Sequence, residues 1–376
     1  MEHPTLPDGL PHLAEVTPSL LAALGTPDFD NTLGIAEVSA AAVLLIDGLG
    51  AELLDANAAD APTLARLRGG RLHVGYPSTT SAGLAAIGTG VSSGRHGMVG
   101  YSFDLPDVGV MNTLRWRVHP WGDDLRGTVD PEAVQPMPTL FERAVAAGVD
   151  VSVVSPAEFT HSGMTKAVLR GGRYVGVHAL GDLAASMLTA LSRGGFCYGY
   201  HAMLDFVGHV YGPESAAWRL QLRHVDLLVE MLVESLPAGA VLAVVADHGM
   251  VELDESVVDV DSSEPLREGV RAIGGEPRAR HVHPVDGAES DVLAVWRETL
   301  GERAWVVSGE EAVETGWFGP GVTDVARSRI GEVVVASRGR SAVLRRTEEK
   351  LESSLRGHHG SLTSAEQLVP LALAYG

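Results

Sequence analysis

The chain has 376 residues, 45% of them hydrophobic, so it can bury a large core; a single cysteine, Cys197, excludes an internal disulfide and suits a reducing compartment. With 28 Lys and Arg against 48 Asp and Glu, the formal net charge is −20, and so acidic a chain lacks the clustered cations that grip nucleic-acid backbones. A phosphate ester would be repelled as well, unless bound dications made its site locally positive.

The opening Met1-Glu2-His3-Pro4-Thr5-Leu6-Pro7 has neither the basic start nor the apolar core of a signal peptide. No apolar run reaches the ~18 residues needed to span a bilayer; residues 238–246 come nearest and stop at Asp247. The expectation is a soluble, cytoplasmic protein with no membrane partner. Nothing in the sequence specifies an oligomeric state.

Residues Ala40–Ile46 are short, aliphatic and end at Asp47-Gly48, the pattern of a fully buried strand. Similar runs occupy residues 149–154, 195–200 and 241–246. Helical periodicity fills the intervals, over 62–67, 81–87, 140–147, 180–191 and 216–236, with Pro62 suited to a first helical turn. Strands alternating with helices predict an α/β fold: a mainly parallel central sheet covered on both faces, a three-layer αβα sandwich. Ligands of such sheets gather beyond the carboxyl ends of the strands, which puts Asp47 and Asp247 on one rim. Residues 251–279 turn polar and read as a loop. From 280 to 346 the pattern is that of a small inserted α/β lobe, with a helix at 290–300 and strands at 304–307 and 331–336. Residues 1–279 and 347–376 then make the catalytic core.

Several residues could carry chemistry. Asp205 and His209 share a face if their segment is helical, although Gly208 and Tyr211-Gly212-Pro213 equally fit a loop or a single turn. Asp247-His248-Gly249 can turn both side chains to one cation only where the strand ends, and Gly249 permits that bend; a plain strand-end cap is the alternative. Thr80, in Pro77-Ser78-Thr79-Thr80-Ser81-Ala82-Gly83, stands before a helix, where a hydroxyl is an N-cap or a group facing a bound anion. Thr79 and Ser81 are its local rivals. Asp47 could be an ordinary turn residue, and Gly48-Leu49-Gly50 lacks the third glycine of a dinucleotide fingerprint and the lysine of a P-loop. His358 and His359 are both candidate imidazoles. His281 and His283 would share a strand face; His96, His201 and His224 read as structural. Arg327 and Arg329 read as solvated charges, and Trp116 and Trp121 as buried packing.

In their order along the chain these motifs resemble the alkaline phosphatase superfamily, and within it the nucleotide pyrophosphatase/phosphodiesterase group of metal-dependent hydrolases. The resemblance rests on Asp47-Gly48, Pro77-x-x-Thr80 with Thr89-Gly90 nine residues on, Asp205-Phe206-Val207-Gly208-His209-x-x-Gly212-Pro213, Asp247-His248-Gly249 and His359-Gly360. It implies two divalent metal ions, zinc being usual and manganese compatible with the same ligands. Asp47, Thr80, Asp247 and His248 would hold one ion; Asp205, His209 and His359 the other. Thr80, three residues after Pro77, takes the nucleophile position, which demotes Thr79 and Ser81. Where that branch carries a phosphoryl-binding asparagine this chain has Tyr101, a hydroxyl donor for the same oxygen. The implied activity is hydrolysis of a small phosphate ester through a threonine nucleophile. A phosphomonoesterase, a phosphonate hydrolase or an inactive metal-binding protein are the alternatives. A sulfatase would need a cysteine or serine in place of Thr80.

Overall fold

Seven strands make the central sheet of the computed structural model, which describes residues 9–376; the Met1–Pro7 segment read above for a leader lies outside them. The strands are β1 (Ala40–Ile46), β2 (Arg68–His73), β3 (Val151–Pro156), β4 (Arg173–Val177), β5 (Gly195–His201), β6 (Ala240–Val245) and β11 (Leu368–Tyr375). Their order is β2-β11-β6-β1-β5-β3-β4. From β6 to β4 all neighbours pair in parallel. Parallel pairs need long crossovers, which the intervening helices provide.

The strands β1 and β6 are buried at every position, as expected where helices cover both faces. Helix α4 (Ala216–Glu234) shows how those helices are specified. Trp218, Leu222, Val225, Val229 and Leu232 recur at spacings of three and four and are all buried. Ser215 starts it by accepting from the Trp218 amide at 3.2 Å. The expected helix of residues 180–191 is present as α2 (Leu180–Leu191), and that of 81–87 as α1 (Thr80–Thr89). The Asp205–His209 segment is helical: α3 spans Met203–Tyr211. Gly208 fits because α3 lies close to Met250 and Trp218 there, leaving no room for a side chain.

The strand directions decide what reaches the rim. Because β11 runs antiparallel to β6 and β2, its start lies at the same edge as the carboxyl ends of the parallel strands. The segment before it, with His359, is therefore delivered to that edge. Strand β2 also ends there and leads directly to Thr80.

Residues 251–279 are not the loop that their polarity suggested. They contain strand β7 (Val270–Glu276), which pairs with β8 (Ala279–Pro284), followed by β10 (Val333–Ser337) and β9 (Ala304–Ser308), in a four-stranded antiparallel sheet of order β7-β8-β10-β9. The polar reading failed because Gly274, Gly275 and Glu276 are buried by their neighbours and not by their own chemistry. This sheet has an apolar cluster of its own, with Trp296 and Leu300 from the helix Glu289–Leu300.

One buried ion pair fastens the second sheet to the segment carrying His359. Arg278 donates from Nε and Nη2 to the two oxygens of Glu366, each at 2.7 Å, and both side chains are fully buried. Glu366 also accepts from the Ser361 amide at 2.9 Å. Removing one member leaves the other charge buried and uncompensated. Glu366→Ala is expected to cost about 3–5 kcal/mol of unfolding free energy, read from urea denaturation; a loss under about 1 kcal/mol would show that the pair is not what joins the two parts.

Candidate active site

Three adjacent parallel strands, β6, β1 and β5, each end at an acidic residue of the cleft or lead directly to one. Ile46 lies opposite His201 and Leu45 opposite Val245, so the chain leaves the sheet at one level on all three. Asp47 follows β1 directly, Asp247 lies two residues beyond β6, and Asp205 sits in the first turn of α3, four residues beyond β5. Gly48 has a positive φ, and a Cβ on it would lie 2.8 Å from Asp205 Oδ1, so the turn after Asp47 requires glycine both for its backbone and for room.

The three imidazoles are oriented by backbone carbonyls. The Nδ1 proton of His248 is donated to Gly249 O at 2.9 Å, that of His209 to Gly357 O at 2.7 Å, and that of His359 to Ser78 O at 2.9 Å. A carbonyl only accepts, so each Nδ1 carries the proton and each Nε2 is left for the cleft, the arrangement by which metal-ligating histidines are held. The Nε2 atoms of His209 and His359 are 3.3 Å apart. Asp205 Oδ2 lies 3.2 Å from His209 Nε2, and its Oδ1 lies 3.9 Å from His359 Nε2. On the other side, His248 Nε2 is 3.2 Å from Asp47 Oδ1 and 3.8 Å from Asp247 Oδ2. The rings of His248 and His359 stack with centroids 3.5 Å apart, joining the two halves.

Two groups of side chains could therefore hold a cation. The ligand atoms of Asp205, His209 and His359 fall within 4.8 Å of one another, and so do those of Asp47, Asp205 and His248. Asp205 is common to both, while Asp247 borders the second group through His248. The donors fit divalent cations. Asp47 Oδ1, Asp205 Oδ1 and Asp247 Oδ2 are buried and have no hydrogen-bond partner, and a buried anionic oxygen is costly unless a positive charge compensates it.

The electrostatics agree. Burial, followed by the Asp205 carboxylate, pushes Asp47 up, and burial with Asp47 nearby pushes Asp247 well above the ordinary carboxylate range. Burial acts the same way on Asp205, yet His209, His359 and His248 outweigh it and hold that group low. His248 is raised well above its usual value, against its burial, by Asp247, Asp47 and Asp205. Burial, followed by His248, pulls His359 well below. Mutual repulsion of carboxylates in a buried space is what cations relieve.

Thr80 opens α1 with its Oγ1 3.2 Å from His248 Nε2, so its hydroxyl faces the carboxylates and imidazoles. Thr79 turns away and donates to Glu276 Oε2 at 2.8 Å, and Ser81 donates to Gly100 O at 2.8 Å; their hydroxyls are spent. The start of α1 lies almost on the backbone of Asp247. A Cβ on Gly83 would come within 2.4 Å of Asp247 Cβ.

Other expected residues separate clearly. His359 enters the cluster, whereas the Nε2 of His358 lies 3.2 Å from Leu355 O. His281 binds Val99 O and the Gly331 amide, and His283 lies against Glu332. They share no ligand, and both are structural. His96 is buried and accepts from the Met98 amide; His201 contacts Gln221, and His224 is exposed. Arg327 is exposed, but Arg329 is a correction. It is buried, donates to Gly97 O and Val134 O, and lies over Phe103. Trp116 packs as expected, while Trp121 is 47% exposed beneath Arg115. Tyr101 lines the same cleft as Thr80, with its hydroxyl donating to Glu352 Oε1 at 3.2 Å. Burial pushes that phenol up to about 12.

Two further residues at the site carried no signal in the sequence. Tyr200, on β5, donates its hydroxyl to Asp47 Oδ2. Glu276, from the stretch read as a loop, lines the cleft, receives the Thr79 hydroxyl and stands 3.8 Å from His359 Nδ1. Burial pushes Glu276 up to about 8.

Comparisons with known proteins give the family and the fold. A family model described as type I phosphodiesterase / nucleotide pyrophosphatase matches residues 41–362. Among solved structures, murine ectonucleotide pyrophosphatase / phosphodiesterase 5 superposes with a TM-score of 0.68 at 17% identity, over 90% of this chain and 88% of that one. Phosphonoacetate hydrolase from Sinorhizobium meliloti 1021, in complex with phosphonoformate, does so with a TM-score of 0.66 at 22% identity, over 90% of each chain. At these identities the likeness is one of fold. No curated protein matches the chain.

Two outcomes follow from the geometry. Gly83→Ala is expected to part α1 from Asp247, lowering bound metal and reducing kcat by about 10²-fold, since misplacement by an ångström costs that much; metal analysis with steady-state kinetics checks both. Asp47 and Asp247 are both raised, so a cation bound by them must displace protons that ordinary carboxylates lose more readily. Affinity is therefore expected to fall as pH drops through a range above that of ordinary carboxylates. Calorimetric titration in buffers of differing ionisation enthalpy measures the protons released, and a release that does not grow as pH is lowered would contradict the assignment.

Proposed function

The chain belongs to the type I phosphodiesterase / nucleotide pyrophosphatase family, and on that premise we propose that Thr80 is its nucleophile, attacking the phosphorus of a diester in a cleft whose residues would hold two zinc ions. It is a metal-dependent hydrolase of phosphoester or phosphoanhydride bonds, with paired Asp/His clusters to hold the metal. The residues holding one ion are Asp47, Thr80, Asp247 and His248, and those holding the other are Asp205, His209 and His359. Imidazole mixed with carboxylate suits zinc, with manganese as the alternative. When bound, the cations supply the positive charge that lowers the hydroxyl pKa of Thr80 and stabilises the apical oxygens.

The observation that carries the reading is the 3.2 Å contact of Thr80 Oγ1 with His248 Nε2 at the mouth of α1. It aims the hydroxyl oxygen into the cluster, while Thr79 and Ser81 are turned elsewhere. The Oγ–phosphorus bond forms as the bond to the leaving alcohol breaks; water then cleaves the phosphothreonine and restores the hydroxyl. The amide dipoles at the start of α1 oppose charge on the phosphoryl oxygens. Tyr101 supplies a further donor to one of those oxygens when its proton leaves Glu352. Residues 280–346 act as a lobe inserted into the catalytic core of 1–279 and 347–376, and β7, from the core side of that boundary, completes the lobe's sheet.

No helix among the described residues is long and apolar enough to cross a membrane. We read the protein as cytoplasmic and acting on a small phosphate ester, with no nucleic-acid or membrane partner. Thr80→Ala is expected to lower kcat on bis(p-nitrophenyl) phosphate at least 10³-fold while both metals remain, counted by elemental analysis. Turnover preserved in a variant that retains its metals would remove Thr80 from the nucleophile position.

A further inference from the structure

The cleft has a volume of ≈ 670 Å³, far more than a phosphoryl group fills, and the composition of the extra space is not one that the chemistry at Thr80 requires. Leu114, Phe159, Met164, Phe206, Leu351 and Leu355 all line it. They come from four separate parts of the chain, so no single element's packing explains their meeting. Leu114, Phe206 and Leu351 are 37%, 56% and 43% exposed, which leaves apolar surface facing the cleft without cover from the protein.

The charges of the lining point the same way. Among the described lining residues Arg115 is the only Lys or Arg, and its guanidinium already lies over the Trp121 ring, 4.2 Å from the centroid. Against it stand Glu158 and Glu352, outside the cluster of Asp47, Asp205 and Asp247. Bound dications can balance one phosphoryl group at the reaction centre. A second and third phosphate would lie in a lining whose fixed charge is negative, with one arginine to meet them. A diester with one negative charge avoids that repulsion, and an apolar ester group gains by covering the exposed leucines and phenylalanines.

We propose that the substrate is a monoanionic phosphodiester bearing an apolar alkyl or aryl ester group seated on this wall, and not a nucleoside polyphosphate. The inference rests on the hydrolase reading above and narrows it. The test uses the metal-loaded full chain and p-nitrophenyl alkyl phosphates from methyl to octyl, with a phenyl ester and ATP as further arms. The expected kcat/KM rises about three- to fourfold per methylene over the first several carbons, and exceeds that for ATP. Leu114→Gln and Leu351→Gln are expected to flatten the series while the methyl ester is cleaved within about twofold of the original rate. In the Thr80→Ala protein, calorimetry should find octyl methyl phosphate bound at least tenfold more tightly than dimethyl phosphate. A flat series with the methyl ester still cleaved, equal binding of the two dialkyl phosphates, or a preference for ATP would overturn the substrate class alone. Failure to cleave any ester, the methyl one included, would overturn the hydrolase reading together with it.

Discussion

Three carboxylates held in one buried space dominate this molecule. Asp47, Asp205 and Asp247 each keep an oxygen without a hydrogen-bond donor, and two of the three are pushed above the ordinary carboxylate range by burial and by each other. Isolated charges in such a place would be neutralised or expelled. Here the surroundings are built to keep them together. Imidazoles stand between them, each ring held by a backbone carbonyl so that its Nε2 is available to the cleft. A site that repels itself when empty is one that binds divalent cations strongly, and its repulsion becomes binding energy when they arrive.

The sheet makes that crowding unavoidable. Adjacent parallel strands end at one level, so residues beyond their carboxyl ends are forced into neighbourhood whatever their charge. The nucleophile's segment is then tied to the last histidine. Ser78 pairs with Gly360 through an isolated bridge and donates its hydroxyl to Ser361 O at 2.7 Å. Thr80 and His359, 279 positions apart in sequence, consequently move as one unit. The buried pair of Arg278 and Glu366 extends this unit to the second sheet, and Glu276, at the end of β7, reaches the reaction centre from there. Packing in the lobe and order in the cleft are thus mechanically linked.

Net charge takes on a different meaning in this setting. A value of −20 seemed to oppose a phosphate substrate, but the opposition is selective. Cations held by the Asp/His clusters would neutralise one phosphoryl group, while the described lining beyond those clusters stays acidic and apolar. Such a charge distribution disfavours multiply charged ligands more than singly charged ones.

Much of this was readable in the sequence because its causes are local. The runs that become β1 and β6 are aliphatic and stop at an aspartate, α4 shows its stripe at helical spacing, and the Asp, Thr and His motifs stand in an order that few families share. Where contacts between distant segments decide, local pattern is not enough. The strand β7 looked like a loop because Gly274 and Gly275 are covered by the Ser102–Phe103 backbone and by β8, and Glu276 by Thr79 and the His359 segment, not by their own hydropathy. Arg329 looked solvated because nothing nearby in sequence announces the carbonyls of Gly97 and Val134 that receive it. Residue type alone does not separate His359 from His358 or Thr80 from Thr79; the family pattern does, and in the structure Thr79 gives its hydroxyl to Glu276 while His358 Nε2 lies beside Leu355 O. Residue type and spacing determined which groups could bind metal and react; only the tertiary structure decided which of them meet, because meeting depends on strand order, direction and register, which no short stretch of sequence contains.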